Sequence, residues 1–265
     1  MVIGKVLELV SHLKRLKTVS PRKAAIVTSA SFAALGPIYF LASNAVSQLL
    51  HPTENPIAIT VSFLVFGNYG WLQTSAFYIL GISFIALATA LVLKINARFN
   101  FGAVVVFLVG VAFLLVAGNH VQNSTTAITL SEIIHRDSAV AIVAMSPLAC
   151  FLSAPGLKAN GHRGLWLYSI IAGAIALLTI IVGFLIPTAR NSFLGIFERI
   201  LLFNGQIWGE IICIRLIWTA FKPKPSQAAV DSNYLRFLQI YVSLHPVIGM
   251  KTLPARDLTG QDDIG

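Results

Sequence analysis

Acid, base and guanidinium groups gather in one short stretch, Thr129-Leu-Ser-Glu132-Ile-Ile-His135-Arg136-Asp137, of a chain with only 10 acidic residues in 265. On a helix, Glu132 stands three residues from His135 and four from Arg136, so these three share a face. Asp137 points away from them, toward the side of Ile133 and Ile134. A carboxylate beside an imidazole orients the ring and raises its pKa, as a general base or the outer shell of a metal ligand requires. The same residues have a plainer use. Thr129-x-x-Glu132 is a capping-box pattern, and an acid in a first turn is favoured by the helix dipole.

Glu198-Arg199 is a second such pair. Adjacent helical residues point about 100° apart, so each needs a partner from elsewhere. The opposite charges of 132–137 are available, with a lipid phosphate as the competing partner for Arg199. Asp137 and Arg199 would then form an interhelical ion pair. Glu210 is the lone acid well inside an apolar run, where an ionisable group is costly unless paired or wet. It shares a face with Gln206 and Cys213, and a distorted turn would bring it to Arg215. The catalytic candidates are His135, Asp137 and Glu198. The candidates for substrate contact are Trp71, His120, Glu132, Arg136, Arg199 and Glu210. His51, His120 and His135 come from separate segments without ligand spacing, so no metal site is expected. No phosphate-cradling glycine loop, nucleophile elbow or dinucleotide fingerprint is present, and no cofactor is implied.

These residues are positioned by apolar runs. With 56% hydrophobic and 11% charged residues and a mean hydropathy of +0.80, the chain lies far from a soluble domain. Several runs approach the ~20 residues needed to cross a bilayer. The predicted spans are 24–43, 72–93, 101–118, 133–154, 164–186 and 206–221, with continuity of the last into part of 191–204 as an alternative extent. Gly36-Pro37 predicts a kink in the first. Residues 56–66 are apolar but too short to cross, and suit a short helix at the interface beside Trp71.

Residues 1–23 carry an amphipathic pattern, Val2, Val6, Leu9, Leu13 and Leu16 among Lys5, Lys14, Arg15 and Lys17, which suits an anionic membrane surface better than a cleaved leader. Residues 222–265 open on Lys-Pro-Lys-Pro, a stiff linker, then offer a short interfacial segment at 234–244 and a polar end. The expected domains are therefore 1–23, 24–221 and 222–265.

Fifteen of the 19 Lys and Arg residues fall on one side of these spans, which predicts both termini in the cytoplasm. The net charge of +9 is thereby explained without nucleic acid. Cys150 and Cys213 both lie in apolar runs and read as buried thiols. The fold class is an all-α membrane protein, a bundle of six transmembrane helices. His51, Glu54, His120, Glu132, His135, Arg136, Asp137, Glu198 and Arg199 all fall toward its outer side.

Four stretches carry a family resemblance. They are Gly70-Trp71-Leu72-Gln73-x-x-Ala76-Phe77, Ile134-His135-Arg136-Asp137-Ser138-Ala139, Ser146-Pro147-Leu148-Ala149-Cys150-Phe151-Leu152, and Gly195-Ile-Phe-Glu198-Arg199-Ile-Leu-x-x-Asn204-Gly205-Gln206-x-Trp208. In order and spacing the chain resembles, over about 24–221, the multi-pass membrane proteins grouped as domain of unknown function 998. The resemblance implies a six-helix bundle and singles out His135, Glu198 and Arg199, but supplies no reaction. Members often carry a Pro and an Asp shortly after the third span, where this chain reads Asn119-His-Val-Gln-Asn123-Ser124.

Three functions fit these residues. The first is an outward-facing polar pocket that binds a lipid or small amphiphile. The second is a membrane-embedded enzyme using acid/base chemistry on a lipophilic, isoprenoid-like substrate or a lipid headgroup. The third is a small carrier working through Glu210, which the lack of an inverted repeat disfavours.

Overall fold

The structure, a computed structural model, describes residues 20–95, 100–119, 129–185 and 187–221. Within them the apolar runs are helices: α1 Pro21–Leu50, α2 Gly70–Lys94, α3 Phe101–Gly118, α4 Leu130–Ala159, α5 Arg163–Leu185 and α6 Pro187–Phe221. All six are long and apolar enough to cross a membrane. At 1.5 Å per residue the 18 residues of α3 come close to the hydrocarbon thickness, and the 30 of α1 and α4 exceed it. No strand occurs among the described residues.

The ends of the helices follow local chemistry. Ser20 caps α1 through its hydroxyl, which accepts from the Lys23 amide at 3.4 Å, with Pro21 at the first helical position. Thr129 caps α4 by accepting from the Glu132 amide at 3.3 Å. Helix α1 continues through Gly36-Pro37, with both residues buried. The last helix reaches further back than its apolar run suggests, and breaks once, at Phe193, where φ/ψ is −129°/16°. Between α1 and α2 the short apolar segment forms a single 3-10 turn, Val61–Val65.

Each helix packs on its neighbours in sequence, and α6 returns to α1, so the six close into an up-and-down ring. Small residues set the closest approaches. A β-carbon on Gly81 would stand 2.9 Å from the Gly110 carbonyl oxygen, and one on Gly102 would stand 2.5 Å from the Ser153 backbone. Association of helices in lipid relies on such fits, because the tails are as apolar as the side chains. Inside the ring lie Phe40, Phe77, Phe84 and Phe113, with Phe84 and Phe113 stacked at 5.6 Å. Many large apolar side chains outside it, such as Leu35, Ile38, Leu178 and Trp218, are exposed. That inside-out pattern is the one a bilayer stabilises.

One end of the ring carries Arg22, Lys23, Lys94, Lys158, Arg163 and Arg215, and is called the basic end below. The other holds the 51–69 connection and the start of α4, and is called the loop end. Residues 1–19, 96–99, 120–128, 186 and 222–265 lie outside the described residues, and with them the expected amphipathic segment, His120, Asn123 and the tail.

Candidate functional site

The charged residues expected to converge at the loop end do so only in part. Arg199 does not reach Asp137. Its Nη1 donates to the carbonyls of Pro56 and Ile59, each at 2.7 Å, and to Gly195 one turn back at 3.1 Å. Its Nη2 donates to Gln48 Oε1 at 3.1 Å, and Gln48 Nε2 in turn donates to the Glu54 carbonyl at 2.9 Å. The Glu198 carboxylate accepts from the Val61 amide at 2.5 Å, at the start of the 3-10 turn, where unpaired N–H groups favour an anion. The Ile196 amide adds a bond to the Ile57 carbonyl at 3.0 Å.

The segment from Pro56 to Val65 is thus gripped by α6 through its backbone. Two glycines make room for it. A β-carbon on Gly195 would lie 2.2 Å from the Ile59 oxygen, and one on Gly70 would lie 1.7 Å from the Val65 oxygen. Asn55 shapes the approach by accepting from the Ile57 amide at 3.0 Å.

The 132–137 stretch stands apart, because α4 and α6 are not ring neighbours. Asp137 pairs with adjacent Arg136 at 3.2 Å, with both side chains more than 60% exposed. His135 is buried, and its Nδ1 faces the carbonyls of Asn119 at 2.7 Å and Val116 at 3.2 Å. Two acceptors fix the proton on Nδ1. The ring therefore closes the C-terminal end of α3, where carbonyls have no helical partner, and no hydrogen bond links it to Glu132. His51 plays a similar part on α1, with Nδ1 at 2.8 Å from the Ser47 carbonyl. Among the described residues no three His, Cys, Asp or Glu side chains gather to hold a metal ion.

Glu210 sits in the middle part of α6, part-buried, with Oε2 enclosed and no partner. Arg215 does not pair with it. Its guanidinium lies over the Trp218 ring at 4.5 Å.

Of what lies beside the gripped segment, sequence reasoning named Trp71 alone. An open groove of about 540 Å³ runs between Val65 and α2, lined by Trp71, Thr74, Ser75 and Tyr78. Trp71 is 65% exposed and Tyr78 41%. Ser75 Oγ donates to the Leu72 carbonyl at 2.8 Å and meets the Tyr39 hydroxyl at 3.0 Å. On the opposite, interior face of α2, the Gln73 carboxamide is buried without a protein partner, as are Gln206 on α6 and Asn44 Nδ2 on α1. The spacing Trp71, Thr74, Ser75, Tyr78 marks one helix face, and was the available signal.

Comparison with curated proteins and with solved structures finds no match. The geometry does account for several motif residues. Gly70, Gly195, Glu198 and Arg199 hold the 56–65 segment, while Asn204 Nδ2 and Trp208 Nε1 tie α6 to α5 through the Ala172 carbonyl and Ser169 Oγ, each at 2.9 Å. The family model described as protein of unknown function (DUF998) matches residues 34–215, and the chain belongs to that family.

Proposed function

We propose that the chain is a membrane-embedded binding protein for a lipid or small amphiphile, held in the groove between Val65 and α2. The observation that carries this reading is the lining of the groove. Val65, Trp71 and Tyr78 offer apolar and aromatic walls, with the Thr74 and Ser75 hydroxyls between them. The groove is shallow and open along its length, as suits a ligand that shares its other side with the bilayer. Aromatic rings with a polar tip favour the depth where headgroup meets chain. The grip of Glu198 and Arg199 then has a purpose beyond folding, since it fixes the turn that ends in Val65. The basic end faces the cytoplasm in this reading, as the distribution of Lys and Arg favours, and the groove opens toward the outer leaflet.

Photo-crosslinking tests the proposal. The protein in nanodiscs is irradiated with a lipid carrying a diazirine near its headgroup, and adducts are mapped by mass spectrometry. Labelling is expected to concentrate on 65–78 over the exposed lipid-facing residues Leu167, Ile171 and Leu178 of α5, and to fall at least threefold in Trp71→Ala/Tyr78→Ala. Even labelling around the ring would refute a dedicated site.

A further inference from the structure

A proline inside a helix leaves the carbonyl four residues back without its donor, because the ring nitrogen carries no hydrogen. In α1 that proline is Pro37, and the carbonyl belongs to Ala33. Both residues are buried, so bulk water does not reach the freed oxygen. In an apolar span such a group has to be met by a side chain or by an ordered water. A hydroxyl stands close by. Helices α1 and α2 touch at Gly36, where a β-carbon would overlap Ser83 Oγ. Ser83 is 3% exposed, and its Oγ has no protein partner among the described residues. Other hydroxyls in the spans are satisfied by their own helix: Thr89 donates to the Ile85 carbonyl at 3.0 Å, Ser146 to Ile142 at 2.7 Å and Thr179 to Ile175 at 2.8 Å. Ser83 is not.

These two groups border one cavity. It measures about 10 Å³ and is bounded by Ala33 and Pro37 of α1, Ser83 and Phe84 of α2, and Gly209 and Cys213 of α6, with the rest of its wall apolar. Every residue of that wall is buried. A proline ring lies against the carbonyl four residues back, so a space lined by both Pro37 and Ala33 adjoins the freed oxygen. Roughly 10–15 Å³ suffices for one water molecule, and a bound water needs two to four polar partners. No charged side chain lines the cavity, so an ion would go unneutralised there. A lipid or any larger ligand does not fit.

We propose that this cavity is a binding site for a single water molecule, which donates to the Ala33 carbonyl and shares a hydrogen bond with Ser83 Oγ. The Cys213 thiol supplies a third, weaker contact. The water stands in for the helical bond that Pro37 removes, and it ties the proline turn of α1 to α2 in mid-span. Gly36 lets the two helices come close enough for one molecule to reach both. The site lies between three helices and does not depend on the groove or its ligand.

The two cysteines provide the test. Each is 1% exposed, but Cys213 lines the cavity and Cys150 does not. The full chain in nanodiscs, equilibrated in heavy-oxygen water, receives a brief X-ray pulse that turns water into hydroxyl radicals. Heavy oxygen added to side chains is then mapped by mass spectrometry, with exposed Trp71 as the dose reference. Labelling of Cys213 is expected to exceed that of Cys150 at least fivefold, and labelling of Phe84 to exceed that of equally buried Phe113. Pro37→Ala returns a helical donor to the Ala33 carbonyl, so it should keep the fold while cutting the Cys213 signal at least threefold. Ser83→Ala should cut it likewise, and Pro155→Ala on α4 should leave it unchanged. Equal labelling of the two cysteines, or a Cys213 signal that persists in both Pro37→Ala and Ser83→Ala, would overturn the site.

Discussion

Arg136-Asp137 and Glu198-Arg199 are both adjacent pairs of opposite charge at the loop end, and the bundle uses them differently. The first is more than 60% exposed, and its members pair with each other at 3.2 Å. The second is part-buried, and its members turn away from each other to bind backbone: Glu198 an amide of the 3-10 turn, Arg199 two carbonyls of the 56–59 segment, the Gly195 carbonyl of its own helix and an amide side chain. What separates them is the neighbour. Beside α6 lies an irregular segment whose N–H and C=O groups have few helical partners, and in an apolar setting such groups must be met. Among the described residues, the side chains of Arg136 and Asp137 pair only with each other.

The contrast predicts a graded set of losses. Arg199→Met removes four hydrogen bonds and strands the carbonyls of Pro56 and Ile59. It should cost on the order of 3 kcal/mol in a reversible unfolding assay, and reduce lipid labelling at 65–78. Gly195→Ala pushes a methyl group onto the Ile59 oxygen, and should cost about 2 kcal/mol with the same reduction in labelling. His135→Ala frees the end of α3 and should cost about 1–2 kcal/mol, with the groove labelling kept, because the ring hydrogen-bonds to the end of α3. Asp137→Asn should change stability by no more than about 0.5 kcal/mol and leave labelling intact. A loss at Asp137 matching that at Arg199 would erase the distinction between the pairs.

The fold was largely legible, since a run such as 101–118 has one reading as an apolar segment of spanning length, and α3 occupies those residues. The Thr129 cap was legible because a hydroxyl three residues before an acid has a local meaning. The partners of Arg199 and His135 were not. Both bind main-chain carbonyls, which every residue possesses, so no side chain in 56–59 or 116–119 advertises the contact. Charge complementarity pointed instead to Asp137, a reasonable partner only if α4 and α6 were neighbours in the ring. Of the groove only Trp71 was legible, for a related reason: its far wall is Val65, placed by a turn whose position depends on that same backbone grip.

The most direct test of the grip is hydrogen exchange at the Val61 and Ser62 amides, both of which bond the Glu198 carboxylate, compared between the native chain and Glu198→Gln/Arg199→Met in nanodiscs. Protection of both amides in the native chain is predicted, with exchange at least tenfold faster in the variant while α3 and α4 stay protected. Unchanged exchange at 61 and 62 would contradict the account, because the segment would then be held by something other than α6.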